Sequence, residues 1–197
     1  MRTVIAAAIF ALGVGPAFAQ GSPEKESAVF AGGCFWCVEE AFDKVPGVLA
    51  TTSGYTGGQV ENPTYQAVSA GDTGHYEAVE VEYDRTKVTY EQLLDVFWKN
   101  VDPFDPIGQF CDKGDSYKSA VFVANEEERG LAETTKKSIE ERLKQPVATE
   151  ILPEQAFYPA EDYHQDYYEK NPARYQYYKW GCGRAQRLEE IWGKPAA

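Results

Sequence analysis

Apolar positions along the chain change period several times, and each change marks an element. Ala28-Val29-Phe30-Ala31 is a short continuous apolar run before Gly32-Gly33, the pattern of a buried strand that ends in a turn. Cys34 to Phe42 has no breaker before Pro46 and reads as a helix. Val48 to Tyr55 is strand-like and closes at Gly57-Gly58, and Thr64 to Ser69 reads as a short helix after Pro63. Glu77 to Tyr83 alternates strictly: Val79, Val81 and Tyr83 share one face, and Glu80 and Glu82 the other.

Thr89 is the expected cap of the next helix, with Gln92 completing a capping box. Its apolar stripe is Tyr90, Leu93, Leu94, Phe97 and Trp98. Ser119 to Ala124 is a further strand. Asn125 caps a long helix, with Glu128 at the box position, and Pro146 stops it. Val147 to Leu152 reads as the last strand and Glu161 to Lys170 as a helix. Tyr175 to Trp192 reads as another helix, broken near Gly181-Cys182-Gly183. One-sided strands alternating with helices imply an α+β class. The expected form is a single-domain, ferredoxin-like two-layer sandwich with a mixed sheet and an aromatic C-terminal tail.

The first twenty positions stand apart from this pattern. Arg2 precedes an apolar, small-residue run from Val4 to Val14, and Ala17-Phe18-Ala19 fits a small-x-small cleavage site. Residues 1–19 therefore read as a signal peptide and 20–27 as a polar linker, with 28–197 the folded domain and its tail. Cleavage near Ala19 leaves 178 residues with 31 acids and 18 bases, and no methionine. The mature protein is expected to be exported, periplasmic or secreted, where disulfides persist. Its acidity speaks against nucleic acid, and no mature membrane span is expected.

Candidate chemistry begins at Gly33-Cys34-Phe35-Trp36-Cys37. A cysteine at the first turn of a helix faces free backbone N–H groups and the positive dipole end, so its thiol is expected to titrate below the usual value of about 8.5. Phe35 and Trp36 set two rings beside the sulfur. Cys37 makes a C-x-x-C, which also suits a thioredoxin-like dithiol or half of a zinc site. Cys111 and Cys182 stand singly, and His75 and His164 lack ligand spacing. In an exported protein a purely structural cysteine is the plain alternative. Glu77 has the parity of Val79, Val81 and Tyr83, so its carboxyl belongs to the apolar face. Desolvation there raises its pKa and makes it a candidate general acid.

These motifs, with Gly54-Tyr55-Thr56-Gly57-Gly58, Asn62-Pro63-Thr64-Tyr65, Gly71-Asp72-Thr73-Gly74-His75, Tyr117-Lys118-Ser119 and Ala160-Glu161-Asp162-Tyr163-His164-Gln165, resemble peptide methionine sulfoxide reductases of the A type. The resemblance implies that Cys34 attacks the sulfoxide sulfur and that Glu77 protonates its oxygen. It gives Tyr65 and Tyr117 to that oxygen, Asp112 to polar support, and Phe35 and Trp36 to the methyl group. It implies reduction of the S epimer, free or in peptides, a sulfenic acid on Cys34, and recycling through a disulfide by a thioredoxin-like donor. No metal or organic cofactor is implied, and a monomer is expected. Three features depart from the common pattern: Cys37, Cys111 beside Asp112, and a tail with the single Cys182. Cys182, between two glycines, is the leading resolving thiol and Cys37 its competitor. A static Cys111–Cys182 bridge is the third possibility.

Overall fold

The computed structural model describes residues 23–194; the signal-peptide reading of residues 1–19 lies outside them. The sheet grows from the apolar run. Strand β1, Lys25–Gly32, sits between β3, Tyr76–Asp84, and β6, Ser119–Val123, and is antiparallel to both. β2, Val48–Thr56, pairs with the other edge of β3, and the two-residue β8, Tyr158–Pro159, follows it. β7, Glu150–Pro153, closes the opposite edge and is parallel to β6. The order is β7-β6-β1-β3-β2-β8, a mixed sheet. A separate two-residue hairpin joins β4, Gly108–Gln109, to β5, Asp112–Lys113.

A central strand covered on both faces needs apolar residues at consecutive positions, and this explains why residues 28–31 do not alternate. Phe30 points into the larger core, stacked on Phe42 at 4.9 Å and Phe97 at 5.4 Å. Val29 and Ala31 join Ala78, Ala120 and Phe122 on the other face, where Tyr76, Leu152 and Phe157 complete the layer. The larger core is made by α1, Phe35–Asp43, α3, Tyr90–Lys99, and α4, Glu126–Leu143, through Val38, Phe42, Leu93, Leu94, Phe97, Ala132 and Ile139. Burying each of the Val, Leu, Ile and Phe side chains among them contributes about 1.5–3 kcal/mol. Thr89 and Gln92 close the expected capping box. The short α2, Tyr65–Ala70, is capped by Thr64.

Four expectations shift. The linker ends earlier, because Lys25, Glu26 and Ser27 already pair with Asp84, Tyr83 and Glu82. The last long strand starts at Glu150 rather than Val147: the Val147 N–H donates to Glu140 and that of Ala148 to the Pro103 carbonyl, so neither joins the ladder. Asn125 caps α4, but Glu128 accepts from the Ala124 N–H instead of the cap's own. The helix expected over 161–170 is confined to α5, Tyr167–Lys170, because Asp166 is left-handed at φ 51°. Ahead of it the chain winds in turns. The Gln165 amide there bonds both the N–H and the carbonyl of Ser53, extending the pairing of β2 with a side chain. The tail forms α6, Pro172–Gly181, and α7, Arg184–Trp192, with the expected break between them.

Candidate active site

β1 delivers the chain to the site through one turn. Gly33 has φ 79°, and a Cβ there would lie 2.5 Å from the Cβ of Gln109, so glycine is required. Gln109 itself is fixed, its amide bonding both the N–H and the carbonyl of Asp102. Cys34 follows as the N-cap of α1, only 6% exposed. Its carbonyl accepts the first helical bonds, from Cys37 and Val38.

The free N–H of Phe35, at the first turn, donates to Glu77 Oε2 at 3.1 Å. Glu77 lies opposite Tyr55 near the start of β3, on the core-facing side, and is 2% exposed. Burial pushes its pKa up to about 8; the Asp112 charge adds to this, and the Phe35 N–H and Tyr117 hydroxyl oppose it. At neutral pH Glu77 therefore holds a proton that it can donate.

Aromatic rings enclose the other side. Phe35 is buried against Tyr55 and His164, at 6.0 and 4.9 Å between centroids. Trp36 stacks on Tyr167 at 3.7 Å with planes 8° apart, and its Nε1–H donates to His164 Nδ1 at 3.1 Å. That bond leaves the His164 proton on Nε2, and burial holds the imidazole neutral. Tyr65 lies over the same imidazole, 4.4 Å between centroids, and its hydroxyl and that of Tyr117 are within bonding reach of one another. Burial first, then the Glu77 charge, keeps both phenols protonated. The Tyr178 hydroxyl donates to Asp112 and also reaches Cys34. The candidates Cys34, Phe35, Trp36, Tyr65, Glu77, Asp112 and Tyr117 thus occupy one site.

The cysteines sort into two pairs. Cys111 and Cys182, 71 positions apart, are bonded to each other. Cys34 and Cys37 are free and buried, with their thiols hydrogen-bonded together. The expectation of a depressed Cys34 thiol is corrected. Burial raises it, and the adjoining Cys37 and Glu77 add to that rise. The acidic thiol is Cys37, brought down to about 6 by the Cys34 S–H against its own burial, with help from Arg184, Tyr175 and Lys179. The pair shares one negative charge, and in the resting site that charge rests on Cys37. Cys111, Asp112 and Cys182 bring three donor atoms within 4.8 Å, but both sulfurs are spent in the S–S bond and the carboxylate accepts from Tyr178.

Sequence reasoning missed Tyr175, Tyr178 and Arg184 as neighbours of the thiols, and gave His164 no role. With 13 tyrosines in the chain, none is conspicuous. The usable signal was the i, i+3 spacing of Tyr175 and Tyr178, which sets both on one face of a tail helix.

A family model described as peptide methionine sulfoxide reductase matches residues 26–196. The peptide methionine sulfoxide reductase MsrA of Bacillus licheniformis is 50% identical over 173 residues, covering 87% of this chain and 96% of the relative. MsrA 2 of Caulobacter vibrioides is 50% identical over 198 residues, covering 98% and 100%. Among solved structures, methionine sulfoxide reductase A of Corynebacterium diphtheriae is 35% identical with a TM-score of 0.69, covering 77% of each chain.

Proposed function

The chain belongs to the peptide methionine sulfoxide reductase family, A type, and from that premise we propose how its residues carry out the reaction. The protein reduces the S epimer of methionine sulfoxide, free or peptide-bound, to methionine. The methyl group lies against Phe35 and Trp36, and the sulfoxide oxygen points to Glu77, Tyr65 and Tyr117. Cys34 passes its proton to Cys37 and attacks the sulfur while Glu77 protonates the oxygen. The sulfur–oxygen bond breaks, methionine leaves two electrons richer, and Cys34 is left as a sulfenic acid. Cys37 then attacks that sulfur. A Cys34–Cys37 disulfide forms, and the oxygen, already carrying the Glu77 proton, takes the proton that Cys37 received from Cys34 and departs as water. A thioredoxin-like donor restores both thiols.

One observation carries this reading: a buried, protonated carboxyl bonded to the backbone N–H directly after a buried helix-start cysteine. A donor-free single turnover tests it. Reduced protein mixed with the S-sulfoxide should release one methionine per molecule and none from the R epimer. Equal release from both epimers, or none from either, would overturn the reading. A second reading, in which Cys182 resolves, draws on the bridge itself: the Cys111 sulfur lies 3.7 Å from Asp112, which bonds the same Tyr178 that reaches Cys34.

The coarse α+β fold carries a finer proposal. β1-α1-β2-β3-α3-β6 with sheet order β6-β1-β3-β2 is read as a ferredoxin-like core. It forms one catalytic domain that begins with β1 at Lys25, acting as a monomer outside the cytoplasm after removal of residues 1–19. N-terminal sequencing of the exported protein tests the cleavage, and sedimentation tests the monomer.

A further inference from the structure

We infer that Arg184 is a positioning residue for the second chemical step: its guanidinium is the counter-ion that keeps Cys37 a thiolate, ready to attack the oxidised sulfur of Cys34. This rests on the assignment of Cys37 as the resolving thiol. Arg184 opens α7, two residues after the bridged Cys182, and is 4% exposed. Its guanidinium donates to the Asn100 carbonyl and lies over the Phe110 ring, 4.4 Å from the centroid. Among the described residues it makes no ion pair with a carboxylate, whereas the neighbouring Arg187 is bonded to Asp102. A buried cation without an anion is costly, so a partner is expected close by.

Arg184 and Cys37 line the same cavity, of about 1100 Å³, between α1, α3, α4 and the tail helices. The other groups facing Cys37 are accounted for. On α1, Glu40 is held down to about 2, against its own burial, by Lys179 and Lys44. On α6, Lys179 is thereby neutralised, and Tyr175 donates its hydroxyl to Glu40 while lying in reach of Cys37. Glu77 on β3 holds its proton, and Asp112 on β5 accepts from Tyr178. Arg184 is thus the cation in this cluster that makes no direct ion pair among the described residues, and its charge acts on the Cys37 thiol and on the Asp112 carboxylate beside it. In the step it supports, Cys37 hands the proton it took from Cys34 to the sulfenic oxygen, and the thiolate so formed makes the S–S bond as the S–O bond breaks; the oxygen, already carrying the Glu77 proton, leaves as water. The positive charge stays in place throughout.

The test separates this role from the reductase assignment. In Cys34→Ser protein with the Cys111–Cys182 bridge intact, Cys37 is the single free thiol. Its ionisation is read by thiolate absorbance near 240 nm. The midpoint should lie below the free-thiol value of about 8.5. Adding Arg184→Gln should raise it by roughly one pH unit, a tenfold change in proton affinity. Arg184→Lys, which keeps the charge, should stay near the parent. In the protein with both thiols, Arg184→Gln should slow Cys34–Cys37 closure about tenfold at pH 7 and recover at pH 9, with the methionine yield per molecule unchanged. An unmoved midpoint in folded Arg184→Gln overturns the proposal. If that variant does not fold, Arg184→Lys decides alone: a thiol titrating like a free one overturns it, and a midpoint near the parent's supports it. The methionine yield of the parent judges the reductase reading independently of the titration.

Discussion

The site is made of two unlike halves. One is held by the sheet: Cys34 at the end of β1 and Glu77 in β3 are fixed by ladder bonds, the Gly33 turn and the first turn of α1. The other half comes from residues 160–184, where backbone pairing is sparse. His164, Tyr175, Tyr178 and Arg184 are placed there by a ring stack, phenol-to-carboxylate bonds and one disulfide. The sheet half contains the groups that exchange bonds and protons with the sulfoxide. The tail half supplies walls, hydrogen bonds and positive charge to groups it does not own. The chemistry is anchored rigidly, while its electrostatics are brought in by a segment fastened at few points.

Changes in the sheet half should stop the first step. Cys34→Ser, a sterically small change at an N-cap, should abolish methionine release in a single turnover while the melting temperature stays near the parent's. Any unaltered release would place the nucleophile elsewhere. Glu77→Gln keeps shape but has no acidic proton, and loss of a general acid costs about 100- to 10,000-fold in rate. The sign with pH follows from its raised value. The acid form is required, so the parent's rate should fall as pH rises through about 8. Glu77→Gln should lack that limb. A parent profile flat from pH 6 to 9 would remove Glu77 as the acid.

These halves were not equally legible in the sequence. The parity of Glu77 with Val79, Val81 and Tyr83 located a buried carboxyl because a strand has a period of two and no freedom to rotate one residue alone. Thr89 and Asn125 announced their helices because capping is local chemistry. In the tail the same reasoning failed. Asp166 adopts a left-handed turn that an aspartate tolerates but a helical pattern does not announce, and Gln165 substitutes its amide for a strand, a long-range choice invisible to local pattern. The Cys34 thiol was misjudged for a related reason. The helix-start argument counts the dipole alone, whereas burial and a second thiol three residues on set the result.

Tail variants should leave the first step standing and so sharpen the contrast. Cys37→Ser should release one methionine per protein and then stall with a thioredoxin-like donor. If Cys182→Ser stalls in its place, the second reading is right. On the Cys37 reading, Cys182→Ser turns over but loses stability, because the bridge closes a long loop. Loop entropy puts its contribution at about 4 kcal/mol, which for a chain of this size corresponds to a fall in melting temperature of roughly 10 °C. Both outcomes are read from the same two proteins, one by methionine counted over many cycles and one by calorimetry.

The smallest effect concerns the seam between the halves. Glu39, on α1, is fully buried, and neither of its carboxyl oxygens has a hydrogen-bond partner among the described residues. Burial pushes its pKa up to about 7; the Asp166 backbone and the Ser53 hydroxyl, near it but outside hydrogen-bond geometry, oppose the rise, and the charges of Asp43 and Asp166 add to it. In the unfolded chain a glutamate titrates near 4.3. The folded value is the higher one, so stability is full below about 4 and is lost as pH rises from there through 7. Above that the penalty is constant, at most about 4 kcal/mol and less once solvent screening is counted. Glu39→Gln keeps the volume and removes the charge. The variant should match the parent's melting temperature near pH 4.5 and exceed it by a few degrees at pH 8, with single-turnover yield unchanged. A difference between the two proteins that does not grow with pH would mean that Glu39 reaches water or a cation as α1 and the tail breathe apart. The seam would then be looser than the sheet half it borders.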